Sequence, residues 1–415
     1  MESRQYDVLI AGAGIAGCIA AVSFARAGLT VAVLERQADI QAFKQLCTHY
    51  IQASATPILR RLGIASRIEV AGGIRNLVDI HTPWGWLVEP DMSDDSGEPL
   101  HGYSLTRQHL DPLLKQCVAE MPEIDYFPAM PVRALTWEGE RISGVVAGAA
   151  STAFTARLVV AADGRNSQLA ALAKVPTRTS PNSRGGAFAY YRNLGLHRGM
   201  RAQMWLHGAQ VGYIFPNEED ISVVTAMPPQ SEIARFKADP VGALEGFIKG
   251  LDDAPDFSRA ERVSDVFVVK DYPNQTRPPT AHGMALIGDA ASSMDPLFGV
   301  GCGWAIQTAA WLAEVTAPAL LARGNISGAL AGYARRHRRQ LAGHEFVLMD
   351  FSKRYHFSVI ERLMFSAAAR DDMLMRHLTR FATRISGLGE FLSPRALLRA
   401  AWVNIARRAD GRVQL

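Results

Sequence analysis

Gly12, Gly14 and Gly17 stand in G-x-G-x-x-G spacing directly after the short β-branched and leucine run 6–11 (YDVLIA), and an acid, Glu35, lies 18 residues beyond Gly17. That pattern suits an anion. Gly12 allows a tight turn, Gly14 lets a pyrophosphate approach without a Cβ in the way, and Gly17 lets a helix pack closely on a strand. The phosphates would meet the free N–H groups and positive end of that helix. A carboxylate at Glu35 accepts both hydroxyls of an unphosphorylated adenosine ribose, as in FAD or NAD. Residues 8–25 carry no charge, a length that invites comparison with a membrane span. The glycines, the stop at Gly28 and the second apolar run 30–34 read instead as strand, turn, helix, strand. Acids at Glu2 and Asp7 also fit a signal peptide poorly.

Two further constellations follow strands. Asp163-Gly164 closes the apolar run 157–162 (RLVVAA), and Gly288-Asp289 closes 284–287 (MALI), followed by Asp295-Pro296 and by Gly299, Gly301 and Gly303 opening a helix. Asp289 at a strand end can accept from a polyol hydroxyl. The glycine-rich loop can lie flat under an aromatic ring, with the helix near Gly301 aiming its positive end at that ring. Asp163 can equally cap the helix that follows it.

The elements that must position these groups exceed one ordinary core, so two or three domains are expected in 415 residues. The spacing predicts a helix after Thr106 with Leu110, Leu113, Leu114 and Val118 buried. Consecutive strands (FAYYRN, AQMWLH, VGYIFP, ISVVTA) fill 185–226, and everything beyond about 331 reads as helical. The fold class is α/β, with an antiparallel sheet inserted into a nucleotide-binding domain and a helical C-terminal region. We divide the chain at 1–80, 100–184 and 275–340 for the nucleotide-binding domain, 81–99 and 185–274 for the inserted domain, and 341–415 for the helices. Four scattered cysteines without metal spacing suggest free thiols in a reducing compartment, and no metal site. The net charge of +4 conceals a tail, 335–415, with 16 Lys/Arg against 7 Asp/Glu. These arginines are scattered and accompany no recognition motif, so nucleic acid is not an expected partner and a membrane surface is a minor alternative to a solvated face.

The order G-x-G-x-x-G, DG, GD over about residues 5–340 resembles the FAD-dependent monooxygenase superfamily of the p-hydroxybenzoate hydroxylase type, whose relatives include geranylgeranyl reductases and flavin-dependent halogenases. The resemblance implies a Rossmann-like FAD-binding domain. Gly12, Ala13, Gly14, Ile15, Ala16, Gly17, Glu35 and Arg36 would hold the ADP half of FAD. Arg107 would reach the phosphates, Val132 would touch adenine, and Asp163 and Gly164 would border FAD and the NAD(P)H approach. Gly288 and Asp289 would take the ribitol, while Pro296, Gly299, Gly301 and Cys302 would edge the ring. Lys44 stands near where the hydroxylases place an arginine. NAD(P)H would be a transient electron donor, since no second dinucleotide motif is present.

The resemblance further implies transfer of one oxygen atom from O2, through a flavin C4a-hydroperoxide, to a small hydrophobic molecule in a cytoplasmic monomer or homodimer. Candidate catalytic residues are His49 and Tyr213, with Tyr50, Tyr191, Trp205 and Phe215 as further pocket candidates. The segment 211–216 (VGYIFP) lacks the tryptophans of the halogenases and the central tryptophan of the reductases. Cys47 falls where those reductases keep a cysteine, or is an ordinary buried thiol. Reduction of an isoprenoid-like alkene and flavin binding without turnover are the alternatives.

Overall fold

The computed structural model describes residues 4–94 and 96–409. In chain order, β1 (Arg4–Ala11), α1 (Ile15–Arg26) and β2 (Val31–Leu34) form the opening unit. Next come β3 (Val78–Thr82), β4 (Gly85–Leu87), α2 (Arg107–Ala119) and β5 (Ile124–Phe127), then the meander β6 (Val132–Glu138), β7 (Arg141–Ala147) and β8 (Thr152–Ala161). The strands β9 (Gly186–Arg192), β10 (Ala202–His207), β11 (Gln210–Pro216) and β12 (Ile221–Ala226) precede α3 (Pro240–Lys249). β13 (Met284–Leu286) leads to the long α4 (Val300–Leu321) and α5 (Ile326–Phe351), followed by α6 (Val359–Ala368), α7 (Asp372–Ala382) and α8 (Pro394–Ala409).

The first sheet runs β5-β2-β1-β8-β13, all parallel. Its strands are near-continuous apolar runs because both faces are covered. α1, α2 and α4 pack on one face with Ile19, Phe24, Leu110, Ile306 and Leu312 buried. The start of β8 also pairs antiparallel with β7, and β7 with β6. The carboxyl ends of β1, β8 and β13 therefore lie side by side, which brings Gly12, Asp163 and Gly288 to one edge of the sheet.

The second sheet runs β9-β12-β11-β10-β3-β4, antiparallel except where β10 meets β3. Side chains alternate between its faces. Tyr213 and Phe215 of β11 pack with Met204, Leu206, Tyr50, Phe351 and Phe357, whereas Ile214, Trp205 and Val224 pack under α3. The helices α6–α8 close over Leu87 with Met364, Leu374, Phe381 and Val403. Of the apolar residues in the basic tail, Phe357 and Met364 are buried, while Phe346 and Ile360 face solvent. No described helix is long and apolar enough to cross a membrane.

Candidate active site

The three motif glycines do separate jobs. Gly12 has φ +104°, and a Cβ there would sit 2.5 Å from Ala162 O; a Cβ on Gly17 would sit 1.8 Å from Gly12 O. Gly14 is different, because nothing lies within 4 Å of its would-be Cβ. It caps α1 without a side-chain hydrogen bond, and no acid occupies the first turn. The helix start is thus an uncompensated positive end facing open space. Glu35 braces the turn: its Oε2 accepts from Ala13 N–H at 2.7 Å and its Oε1 from Gln37 N–H at 2.9 Å. Arg36 is exposed and Val132 buried at the start of β6.

A cleft of about 1390 Å³, counting its solvent-filled mouth, runs from this turn between the two sheets. Its wall includes Gly14, Ile15, Ala16, Lys44, Arg107, Gly164, Asp289, Pro296, Gly299, Gly301 and Cys302, with Tyr213 farther along. Gly12, Ala13, Gly17, Glu35, Arg36, Val132, Asp163, Gly288 and His49 stand off that wall. Gly288 serves packing: its N–H donates to Thr308 Oγ1 at 2.9 Å, and a Cβ there would crowd Ala16 at 2.9 Å. The helix Gln168–Leu172 is capped by Ser167, whose Oγ accepts from Ala170 N–H at 3.0 Å; Asp163 accepts from Leu169 N–H in the same turn at 3.0 Å, while its other oxygen is buried without a partner.

Two cations of the wall, Lys44 and Arg107, are paired with carboxylates, whereas Arg184 donates to the carbonyl oxygens of Phe351, Gly208 and Arg354. Lys44 Nζ meets Asp289 Oδ2 at 3.0 Å, and that carboxylate raises the lysine's pKa above its ordinary value. Arg107 is buried and held by Asp111 through two bonds of 2.6 and 2.9 Å. Asp111 also accepts from Lys44 N–H at 3.0 Å, so one carboxylate positions both cations. The start of α4, capped by Gly299 at φ +59° without a side-chain bond, is a second free helix terminus at the cleft. Gly164 and Gly301 likewise have nothing within 4 Å of a would-be Cβ.

His49 does not stand in the cleft as the expected base. Its Nδ1 accepts from Arg107 N–H at 2.8 Å, which leaves the proton of the neutral ring on Nε2, 2.6 Å from Tyr190 Oη. Burial lowers its pKa, so it stays neutral, and both nitrogens are engaged. The geometry makes His49 a support for Arg107. Tyr213 does reach the wall; burial raises its pKa, keeping the phenol protonated. Tyr50 is also on the wall, with Phe215 stacked on its ring at 5.0 Å. Tyr191 and Trp205 fall on the opposite face, bonded to Glu245 Oε1 at 3.2 Å and to Asp252 O at 2.7 Å. Phe188, Met227, Val269, Tyr272 and Met294 line the cleft instead. Strand parity was the available signal: Phe188 and Tyr190 alternate with Tyr191 along β9.

Among the described residues, His81, His207 and Asp252 gather as a group of ligand type, where the sequence reading expects no metal. His81 Nδ1 and His207 Nε2 are 2.8 Å apart, as a hydrogen-bonded pair on the α3 side of the second sheet.

Two open helix termini, three glycines facing empty space, and paired cations beside Asp289 together fit an extended dinucleotide bearing a planar ring. The arrangement fits a flavin dinucleotide lying along the carboxyl edge of the parallel sheet. The chain belongs to the FAD binding domain family, whose sequence profile matches residues 5–237, and it is an FAD-dependent oxidoreductase. Digeranylgeranylglycerophospholipid reductase 1 of Methanococcoides burtonii is 25% identical over 384 residues, 88% of this chain and 87% of that protein. A probable electron transfer flavoprotein-quinone oxidoreductase of Escherichia coli is 32% identical over 175 residues, and this match spans only 41% of the chain and 39% of the relative. Among solved structures, the flavin-dependent brominase Bmp2 superposes with TM-score 0.77 at 18% identity, over 99% of this chain and 100% of that one. PqsL, a probable FAD-dependent monooxygenase from Pseudomonas aeruginosa, gives 0.67 at 18%, over 90% and 98%.

Proposed function

We propose that the protein is a monooxygenase that inserts one oxygen atom from O2 into a small hydrophobic substrate, aromatic or polycyclic, with electrons from NAD(P)H. The observation that carries the reading is the far end of the cleft, where Phe188, Tyr213, Met227, Val269, Tyr272 and Met294 form a mostly apolar wall continuous with the FAD-binding residues. Such a wall binds by burial of apolar surface and keeps water out.

Bound FAD supplies the redox and oxygen chemistry; the chain holds, orients and shields. Gly14 and the start of α1 would take the pyrophosphate, with Arg107 beside it and Asp289 at the ribitol. The start of α4 would face the ring and favour negative charge there by about 0.3–1 kcal/mol. Tyr213, kept protonated, donates a hydrogen bond to a carbonyl or hydroxyl of the substrate. No acid–base dyad is required of the side chains, in keeping with His49 being fully engaged.

The reductase relatives support a second reading, reduction of an isoprenoid-like alkene. That reaction needs a proton donor beside the flavin. Cys47, the thiol at the matching position, is poorly suited to donate, because its hydrogen bond with Cys302 and the nearby Arg107 charge outweigh burial and hold its pKa well below the ordinary thiol value. Halogenation is less supported still, because the segment 211–216 (VGYIFP) carries neither tryptophan of the halogenases. The test is turnover of the FAD-loaded enzyme with NAD(P)H, aromatic and isoprenoid compounds, and isotopically labelled O2. Label in the product is the expected result; anaerobic saturation of an alkene, with no labelled product, would replace this reading with the reductase one.

A further inference from the structure

Two of the chain's four free thiols meet in the wall of the flavin cleft. Cys47 lies on the loop that follows β2, and Cys302 lies in the first turn of α4; their Sγ atoms are 3.8 Å apart. The other two thiols are buried elsewhere. Cys18 Sγ bonds to Ala13 O at 3.3 Å, and Cys117 Sγ accepts from Arg67 Nη1 at 3.0 Å.

The pair is asymmetric. Cys47 Sγ gathers donors: His49 N–H at 3.3 Å, Arg107 Nη1 at 3.7 Å and the Cys302 thiol. Cationic and N–H surroundings of this kind hold a thiolate, the reactive form of cysteine. Cys302 is placed the other way. Its hydrogen bond to Cys47 and its burial push its pKa up, so it keeps its proton. One sulfur is set up to attack and its neighbour to resolve.

We propose that Cys47 and Cys302 are a peroxide-reactive pair that closes to a disulfide within the flavin cleft. The Cys47 thiolate attacks one oxygen of hydrogen peroxide; the O–O bond breaks, sulfur is oxidised to sulfenic acid and hydroxide leaves. The Cys302 thiol then attacks that sulfur, the S–S bond forms, and the remaining oxygen departs as water with the thiol proton. Two electrons pass from the sulfurs to peroxide. Closure from 3.8 Å to the bond length of about 2.0 Å draws the loop bearing Cys47 toward α4, and removes the thiolate that faces Arg107. Only the source of peroxide, flavin reoxidised by O2 without a substrate to take the oxygen, rests on the monooxygenase reading.

The experiment uses FAD-loaded enzyme, without substrate or NAD(P)H, treated with added hydrogen peroxide. Free thiols are counted under denaturing conditions and peptides mapped by mass. The expected result is a fall from four thiols to two, a Cys47–Cys302 cross-linked peptide, and full reversal by dithiothreitol. In Cys302→Ser, the sulfenic acid on Cys47 should be trapped by dimedone; in Cys47→Ser, Cys302 should survive treatment. Survival of all four thiols, a cross-link through Cys18 or Cys117, or oxidation of Cys47 to sulfinic acid with Cys302 left free would each overturn the proposal. Because peroxide is supplied, absence of oxygenase turnover leaves this result unaffected, and failure of the thiol chemistry leaves the turnover test unaffected.

Discussion

Replacing Gly14 with alanine separates the fold from the cofactor site. Gly14 has φ −78° and ψ −173°, an extended conformation open to any residue, and its Cβ would meet nothing within 4 Å. Alanine is a poorer helix cap than glycine by up to about 1 kcal/mol. It also loses less backbone entropy on folding, worth about 0.4–1 kcal/mol in its favour. The two terms offset, so apoprotein stability should scarcely change. The added methyl does enter the space assigned to the pyrophosphate, and overfilling a packed site costs about 1–3 kcal/mol. That corresponds to roughly a 5- to 150-fold weaker Kd for FAD. Gly17→Ala is the contrasting control, because its Cβ would lie 1.8 Å from a backbone oxygen that cannot yield without moving the turn. It should lower the melting temperature of the apoprotein itself. The assay pairs thermal melting of flavin-stripped protein with FAD titration followed by flavin fluorescence. The reasoning fails if Gly14→Ala binds FAD within about twofold of wild type, or if its apoprotein melts as early as that of Gly17→Ala.

Two other substitutions read the cleft electrostatically. Asp289→Ala removes an ion pair whose side chains are 46% and 20% exposed, worth under about 1 kcal/mol to the fold. The variant should therefore purify folded but with little FAD, measured as flavin absorbance per protein; full occupancy would take Asp289 out of the site. Asp295→Asn addresses pH. Burial raises this carboxyl to about 6 from 3.8, so between those values the native state binds a proton that the unfolded chain does not. Its contribution to stability is therefore present at low pH and lost as pH rises through about 6, with an upper bound of about 3 kcal/mol. The asparagine variant should melt higher than wild type at pH 7, with the gain shrinking toward pH 4. A gain independent of pH would contradict the assignment.

The opening strand–turn–helix–strand unit is readable in sequence because its information is local. Gly12, Gly14, Gly17 and Glu35 fall within one strand–helix–strand unit, where spacing alone decides what each backbone position must do. Asp163 shows the limit of that logic, since spacing allowed both a helix cap and a cofactor contact; the cap falls to Ser167, and Asp163 adds a bond to Leu169 N–H with its other oxygen buried and unpartnered. The substrate end is not local at all. Alternation along β9 to β12 sorts side chains into two faces, but which face looks toward the cleft depends on α3 covering one side while Tyr50, Leu297, Phe351 and Phe357 pack on the other. Trp205 and Tyr213 were equivalent candidates until that packing was known.

The loop after β2 carries this furthest. Read alone, its segment FKQLCTHY has no periodicity and no motif. In the fold it sends Lys44 to Asp289, Cys47 to Cys302, His49 to Arg107 and Tyr190, and Tyr50 to Phe215. Its partners on Asp289 and Cys302 are 245 and 255 residues away in the chain. Each contact joins the loop to a different part of the cleft: the end of β13, the first turn of α4, the start of α2 and the second sheet. A change in this loop, including closure of its cysteine on α4, would thus reach the cofactor and the substrate walls together, although none of its residues lies in the nucleotide motifs.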